Sequence, residues 1–278
     1  MQSSLPRALA ISSLALVFSV QVTLSGALAQ SASKQFKPEV GQAGKDVIWV
    51  PTAQALVDKM LDMAKVTPAD YVIDLGSGDG RTVITAAKRG ATAMGIEYNP
   101  DMVALSKANA EKEGVSGKAT FVQGDIFQTD FSKATVLTMF LLSTLNLKLR
   151  PTILNMKPGT RVVSNSFDMG DWTPDETVTI SENCTSHCRA HFWLVPAKVE
   201  GTWKVGEGEL VLKQQFQMLS GTLKNGNVSA IVINGKMAGD QITFTAGNTQ
   251  YTGKVSGNTI EGTAKTGDKE TKWQATRS

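Results

Sequence analysis

Cysteine and histidine are scarce in this chain, whose 278 residues include two of each. All four lie between Cys184 and His191. Charge is also low: the formal net charge is +3, and no stripe of lysine and arginine is interleaved with aromatic residues, so nucleic acid is not indicated as a partner. Nothing indicates a disordered or fibrous protein, and the length suffices for a full domain and a smaller one. Small molecules or proteins are the expected partners.

The first 29 residues differ in composition from the rest. Arg7 supplies a positive charge, residues 8–24 are mostly apolar, and Ala27-Leu28-Ala29 has small residues at the spacing of a cleavage site. This pattern predicts an export signal that is cut after Ala29. An uncleaved membrane anchor is the alternative, but the serine and glutamine content disfavours it, and the absence of cysteine there excludes a lipid anchor. We therefore expect a periplasmic or secreted protein without stable membrane insertion.

A glycine-rich stretch, Tyr71 to Arg81, organises the following part of the chain. It reads Y-V-I-D-L-G-S-G-D-G-R, an apolar strand ending at Leu75, a glycine turn, and a helix that begins near Arg81. Glycines allow a tight turn and the close approach of a ligand to the backbone. A helix that starts after such a turn presents free N–H groups and a partial positive charge. The stretch therefore predicts a nucleotide or a carboxylate-bearing cofactor at the edge of a parallel sheet.

The glycine spacing distinguishes between cofactors. The glycines fall as G-x-G-x-G, with Arg81 where the dinucleotide fingerprint G-x-G-x-x-G requires its third glycine, which disfavours NAD. With Asp74 in front, D-L-G-S-G-D-G-R resembles the first motif of class I S-adenosylmethionine-dependent methyltransferases. The resemblance implies S-adenosyl-L-methionine as the cofactor, with the loop around its methionine end. The cofactor-binding residues predicted in this stretch are Asp74, Gly76, Ser77, Gly78, Asp79 and Gly80.

Two acidic residues downstream extend the resemblance. The strand from Ala91 ends at Glu97, where a carboxylate can accept hydrogen bonds from both ribose hydroxyls, the role that the family assigns to this position. A solvated charge at the end of a strand is the alternative. After a third strand, Gly124-Asp125-Ile126-Phe127 matches the place where these methyltransferases bind adenine. The resemblance implies that Asp125 accepts from the adenine amino group and that Ile126 covers the ring.

Later motifs resemble a narrower group. N-L-K-L-R-P, P-G-T-R-V-V-S and F-D-M-G-D-W are similar to those of small bacterial methyltransferases and, more distantly, of mitochondrial inner-membrane lysine methyltransferases. The segment around Trp49 resembles the lead-in of the bacterial group, where it would close over the cofactor. The resemblance covers roughly Trp49 to Gly201. No Asn/Asp-Pro-Pro-Tyr follows the apolar run at 135–142, which argues against methylation of adenine or of a glutamine amide.

These resemblances imply an enzyme whose methyl acceptor is an amine, such as a protein lysine. Because a lysine amine is protonated at neutral pH, the site needs a group that takes up its proton. Asp168 in F-D-M-G-D-W is the first candidate for a catalytic residue and Asp171 the second, with Trp172 against the lysine stem. Asp168 could instead cap a turn. The rival function is a non-catalytic exported binding protein that retains the cofactor pocket and holds a partner with its C-terminal domain.

The cysteine and histidine cluster, C-x-x-H-C-x-x-H, allows three interpretations: a metal site, a disulfide, or unpaired structural residues. Short spacing of soft ligands is compatible with zinc, whereas two lone cysteines of an exported protein more often form a disulfide. We predict a Cys184–Cys188 disulfide with His187 at the tip of its loop, between the last two strands of the sheet. No metal-binding residue is assigned.

The residue pattern of the sequence changes at Gly201. Six short alternating stretches follow, separated by turn pairs such as Asn225-Gly226 and Gly257-Asn258. The predicted fold is therefore α/β, a Rossmann-like seven-stranded methyltransferase sheet with a C-terminal antiparallel β meander or small barrel. The predicted divisions are a signal peptide at 1–29, a class I methyltransferase domain at 30–200 and a β-rich domain at 201–278.

Overall fold

The computed structural model describes Met1 and residues 36–278. The predicted export signal lies outside the described residues, apart from Met1. In chain order, the helices and strands are α1 (Gln54–Met63), β1 (Tyr71–Leu75), α2 (Arg81–Lys88), β2 (Thr92–Glu97), α3 (Pro100–Lys112), β3 (Ala119–Gln123), β4 (Val136–Met139), α4 (Ser143–Ile153), β5 (Arg161–Asn165), β6 (Glu176–Thr179), β7 (Arg189–Leu194), β8 (Gly201–Val205), β9 (Gly208–Gln215), β10 (Met218–Asn225), β11 (Val228–Ala238), β12 (Gln241–Ala246), β13 (Thr249–Ser256), β14 (Thr259–Thr266) and β15 (Lys269–Arg277).

Strands β1 to β7 form one seven-stranded sheet in the order β3-β2-β1-β4-β5-β7-β6. The first five strands are parallel to one another, and β7 runs antiparallel to both β5 and β6. This confirms the predicted Rossmann-like sheet and the antiparallel pair that closes it. The carboxyl ends of β1 to β5 share one edge, and the strand order reverses beside β1, where such sheets bind ligands.

Both faces of the sheet are covered, which explains why β1 is apolar almost throughout. Val72 packs into a cluster with residues of α1 and α2, including Leu56 and Val83. Ile73 and Leu75 point to the opposite face, where they join a second cluster with residues of α4. A parallel strand buried on two faces reads as a continuous apolar run rather than an alternating one.

Helix ends and a proline position these elements. Asn99 caps α3, and its side chain accepts from the backbone N–H of Asp101 at 2.9 Å. The N-cap of α1 is Ala53, and the hydroxyl of the preceding Thr52 accepts from the Asn165 side chain at 3.1 Å. Helix α4 continues through Pro151 to Ile153.

Pro151 lies in the last turn of α4, so only one hydrogen bond near the end of the helix is lost. Among the described residues, no helix combines the length and the apolar character needed to cross a bilayer.

Strands β8 to β15 form a closed antiparallel barrel. The barrel closes where β15 pairs with β8, with Arg277 opposite Trp203. Of the two architectures predicted for this region, the barrel is thus the one observed. It has eight strands where the sequence indicated six, since β8 and β10 were missed. Its interior is filled by apolar side chains, among them Trp203, Phe244 and Trp273.

The barrel contacts the sheet region through the loop between β5 and β6. The rings of Trp172 and Phe216 stack with centroids 6.0 Å apart. The Gln217 side chain donates to the Thr173 carbonyl at 2.8 Å. Both partners from the barrel belong to the turn between β9 and β10, so this turn anchors the barrel beside the sheet.

Candidate active site

A cavity of about 570 Å³ opens at the carboxyl edge of the sheet. Its volume falls within the range of small-molecule sites. Of the residues predicted from the sequence, the structure brings eight into its lining: Asp74, Gly76, Ser77, Gly78, Asp79, Glu97, Asp125 and Ile126. Gly80, Asp168 and Asp171 do not line it. Residues 42–52 and the segment 139–142 after β4 complete the walls, together with Phe167 and His187.

The glycine loop after β1 turns through backbone conformations that favour glycine. Gly76, Gly78 and Gly80 have φ angles of 75°, 55° and 83°, in the left-handed region. A Cβ on Gly78 would lie 2.7 Å from the indole nitrogen of Trp49. A Cβ on Gly80 would lie 2.7 Å from the Phe121 ring. Gly80 is therefore required for packing of the loop on β3, whereas Gly76 and Gly78 expose backbone to the cavity.

Three carboxylates surround the base of the loop. Asp74 is 6% exposed and accepts from the Thr138 hydroxyl at 2.7 Å. Burial, together with the nearby charges of Glu97 and Asp79, raises the pKa of Asp74 to about 7. A positively charged ligand would favour the ionised form of such a group. This end of the cavity is thus suited to a cation.

Glu97 is held in a fixed orientation at the end of β2. One carboxylate oxygen accepts from the Gly78 N–H at 2.9 Å and the other accepts from the Asn99 N–H at 2.9 Å. Each carboxylate oxygen can accept more than one hydrogen bond, so both retain capacity for a ligand. The arrangement suits two neighbouring hydroxyls, as the sequence predicted for the ribose.

Asp125 lies in the loop after β3 and has two partners. Its Oδ1 accepts from the Phe127 N–H at 2.9 Å and its Oδ2 forms an ion pair with Lys45 Nζ at 2.7 Å. The Lys45 ammonium and the Phe127 N–H hold the pKa of Asp125 below its ordinary value. Lys45 was not predicted as a site residue. It lies in a polar segment of the sequence, and no motif there indicates a contact with the distant loop after β3.

Lys45 belongs to a segment that forms one wall of the cavity. Gly41 donates to the Trp49 carbonyl and Trp49 donates to the Gln42 carbonyl, each at 2.9 Å, so the chain folds back on itself. Trp49 then packs on Gly78 of the glycine loop. We call residues 41–52 the N-terminal strap.

The two candidate catalytic aspartates are engaged outside the cavity lining. Asp168 Oδ1 accepts from the Ser143 hydroxyl and from the Gly170 N–H, both at 3.2 Å. Asp171 forms an ion pair with Arg150. These contacts fit the alternative in which Asp168 stabilises a turn.

Trp172 is also placed differently from the expectation. It is fully buried, because a bridge between Met169 and Trp172 turns its ring into the core. There its indole lies against Trp193 and Phe216, so it does not face a substrate.

One wall of the cavity is apolar and aromatic, and its Leu141 lies beside Gly76 of the glycine loop. It is formed by Phe140, Leu141, Leu142, Leu145 and Phe167, with His187 at its rim. His187 lies in the loop that the predicted disulfide closes. Cys184 and Cys188 are bonded, which confirms the disulfide. Both sulfurs are then unavailable as thiolate ligands, and the part of the chain that is described contains no group of three His, Cys, Asp or Glu side chains placed for a metal ion. His191 is buried, 2.9 Å from the Thr177 hydroxyl.

The residues present fit S-adenosylmethionine. The Ser77 hydroxyl is buried in the loop without a hydrogen-bond partner among the described residues, and a buried polar group in this state calls for a ligand or water. Glu97 offers two acceptors for ribose hydroxyls, and the acidic base of the loop suits the cationic methionine end. When bound, the cofactor supplies an electrophilic methyl group.

Comparisons with known proteins agree with this geometry. Residues 74–176 match the family model of the ANTKMT methyltransferase domain. A protein-lysine N-methyltransferase of Saccharolobus islandicus (strain REY15A) is 45% identical over 144 residues, which cover 51% of this chain and 89% of that relative. The adenine nucleotide translocase lysine N-methyltransferase of Mus musculus is 32% identical over 130 residues. The match covers 46% of this chain and 56% of the mouse protein, so the chain spans about half the length of that relative.

A solved structure leads to the same family. The crystal structure of an RNA methyltransferase from Salinibacter ruber in complex with S-adenosyl-L-homocysteine is 45% identical in sequence, with a TM-score of 0.51. The aligned region covers 54% of this chain and 96% of the Salinibacter chain. S-adenosyl-L-methionine is therefore the cofactor. The chain belongs to the class I S-adenosylmethionine-dependent methyltransferases, in the group that includes protein-lysine N-methyltransferases.

Proposed function

We propose that this enzyme transfers a methyl group from S-adenosylmethionine to the amine nitrogen of a protein lysine. The observation that carries the proposal is that the cavity lining combines carboxylates with apolar and aromatic side chains. Asp74, Asp79 and Glu97 supply the carboxylates, and the apolar wall is formed around Phe140 and Phe167. A long aliphatic side chain that ends in nitrogen is a suitable occupant of such a wall.

The reaction requires alignment more than activation of the donor. The amine lone pair attacks the methyl carbon, the bond from carbon to sulfur breaks, and S-adenosylhomocysteine leaves as a neutral thioether. Holding the two reactants in line supplies much of the rate enhancement. The nitrogen must also lose a proton, and the imidazole of His187 is an ionisable group of the lining that contacts Phe140 and Phe167. Imidazole is a common general base near neutral pH.

RNA is the second candidate acceptor, because the similar Salinibacter ruber protein is described as an RNA methyltransferase. The low net charge of this chain favours protein over RNA. The experiment incubates the full chain and methyl-labelled cofactor with extracts of cells that lack the enzyme. We expect label that protease releases, that ribonuclease leaves in place, and that acid hydrolysis yields as methyllysine.

Label in ribonuclease-sensitive material would overturn the lysine assignment. Cofactor binding without label in any fraction would favour the non-catalytic binding protein. The matched control is the Glu97→Ala variant, in which labelling should fall together with cofactor affinity.

We also propose that the enzyme is exported and acts in the periplasm or outside the cell. The proposal rests on Arg7, the apolar stretch and the Ala27-Leu28-Ala29 site. The Cys184–Cys188 disulfide supports it, since structural disulfides persist in oxidising compartments. Intact mass of the protein isolated from cell fractions tests it: a chain that begins at Gln30 is expected, and a chain that begins at Met1 in the cytosol would contradict it.

A further inference from the structure

Three aromatic rings meet at the rim of the apolar wall, although they come from distant parts of the chain. Phe140 follows β4, Phe167 follows β5, and His187 lies in the loop between β6 and β7. The ring centroids are 6.0 Å apart for Phe140 and Phe167, 5.1 Å for Phe140 and His187, and 6.2 Å for Phe167 and His187. All three residues line the cavity. We call them the aromatic cluster.

The position of His187 is determined by the loop that carries it. The disulfide between Cys184 and Cys188 closes this loop, and His187 has a φ of 54°. Its Nδ1 lies 2.7 Å from the Ser186 hydroxyl. The two phenylalanines are only partly exposed, whereas His187 is exposed at the opening. The cluster thus stands between solvent and the interior of the cavity.

The segments that carry the cluster contribute no carboxylate to the cavity lining. The carboxylates of the lining belong to β1, the glycine loop, the end of β2, the loop after β3, and the strap. A cation that enters past the cluster is therefore attracted by ring faces rather than by an opposite charge. Ring faces attract ammonium groups within about 6 Å of the centroid, and they also pack against methylene groups.

We propose that the aromatic cluster is the acceptor subsite, where Phe140, Phe167 and His187 hold the stem and ammonium of the incoming lysine. This inference rests on the proposed amine acceptor. Contact with the ring faces stabilises the ammonium. The cluster therefore orients the side chain toward the cofactor before the proton is lost.

The test uses two compounds that need no identified protein substrate. Both are analogues of S-adenosylhomocysteine in which nitrogen replaces sulfur. One carries a 4-aminobutyl arm on that nitrogen, and the other carries a pentyl arm of equal length without charge. Calorimetry on the full chain measures the affinity ratio of the two compounds. Wild type should prefer the aminobutyl compound by roughly tenfold, because cation–π contacts favour only the charged arm.

The variants are chosen to remove rings while keeping volume and backbone geometry. The double variant Phe140→Leu/Phe167→Leu keeps an apolar wall, and His187→Asn suits the left-handed conformation. In the double variant the ratio should fall to roughly twofold or less, and in His187→Asn it should fall by a smaller factor because both phenylalanine rings remain. Tyr251→Leu is the control, since its ring lies in the barrel, stacked on Phe244, and outside the cavity lining. S-adenosylhomocysteine itself checks that each variant retains its cofactor site.

The outcomes separate the two proposals. A wild-type preference that survives in both ring variants would overturn the acceptor subsite while leaving the amine acceptor intact. No preference for the charged arm in wild type would overturn the amine acceptor together with this inference. Loss of preference in the ring variants, with Tyr251→Leu unchanged, would support both.

Discussion

Lys45 donates to Asp125 at 2.7 Å and thereby joins the N-terminal strap to the loop after β3. Both residues line the cavity, and Asp125 is the residue predicted to bind adenine. Lys45 also lies over the ring of Tyr98, with Nζ 5.1 Å from its centroid, and Trp49 of the same strap covers Gly78. The strap therefore contacts the loops that follow β1, β2 and β3, so opening of the cavity requires movement of these contacts.

Replacement of Lys45 should accelerate cofactor release. In Lys45→Met the strap loses its ion pair, and we expect S-adenosylhomocysteine to dissociate several-fold faster by stopped-flow fluorescence. The stability of the fold should hardly change, because exposed ion pairs contribute little. Lys88→Met is the matched control: it removes the exposed pair with Glu113, far from the cavity, and should leave the release rate unchanged. Equal rates in wild type and Lys45→Met would contradict a closing role for the strap.

Removal of the Glu97 carboxylate should weaken cofactor binding strongly. Glu97→Ala deletes two acceptors, and hydrogen bonds to a charged group are worth about 1.5 to 3 kcal/mol each, so affinity should fall tenfold or more by calorimetry. Glu97→Gln separates the two contributions, since it retains one acceptor and should bind with intermediate affinity. Circular dichroism verifies the fold. Wild-type affinity in a folded Glu97→Ala variant would show that the ribose is bound elsewhere.

Burial of Asp74 predicts a pH dependence of stability in the absence of cofactor. Its pKa is about 7 in the folded chain against an ordinary value of 3.8. The folded state therefore holds a proton that the unfolded state has lost between these pH values, and folding becomes less favourable as the pH rises through this window. Below the window the group is protonated in both states, and above it the loss is complete.

Urea unfolding of wild type and Asp74→Asn measures this effect. Asparagine is uncharged, and its carbonyl can still accept from Thr138. The stability of wild type relative to the variant should decline between pH 4 and 7 and then level off. A difference that does not vary with pH would mean that Asp74 is ionised throughout the range.

Asp168 and Asp171 provide a test of the proton route. Because the Asp168 carboxylate contacts Ser143 and Gly170 outside the cavity lining, we expect Asp168→Asn to bind cofactor and to methylate at the wild-type rate from about pH 6 to 9. Asp171→Asn should behave in the same way, since its partner Arg150 is also outside the lining. A loss of rate at unchanged cofactor affinity would restore Asp168 as a proton acceptor.

The disulfide should stabilise the loop more than the whole fold. Cys184 and Cys188 enclose only a short loop, for which the chain-entropy model gives about 2 kcal/mol. Treatment with dithiothreitol should lower the free energy of unfolding by no more than that and should increase amide exchange around His187. The Cys184→Ser/Cys188→Ser variant is the control and should not respond to the reductant. Unchanged exchange in reduced wild type would show that other contacts hold the loop.

The sequence by itself determined those parts of the protein in which neighbouring residues carry the information. The glycine loop could be predicted because Gly76 and Gly78 adopt conformations that few other residues tolerate. Glu97 and Asp125 could be predicted as neighbours in one site because both lie at the carboxyl ends of parallel strands. Such strands place these ends at one edge of the sheet. Most turns of the barrel could be predicted from residue pairs such as Asn225-Gly226. In each case a local conformational requirement restricts the residue type.

Tertiary structure decided what depends on contacts between distant segments. β10 was missed because the preceding turn uses Phe216, with a φ of 53°, and phenylalanine is not a turn residue. Its ring is held there by stacking on Trp172. Asp168 lies in a motif that suggested a catalytic role, yet its carboxylate contacts Ser143 and Gly170 outside the cavity lining. Lys45 and His187 became visible as site residues only when folding brought the strap and the disulfide loop to the cavity, because long-range packing leaves no periodic pattern in the chain.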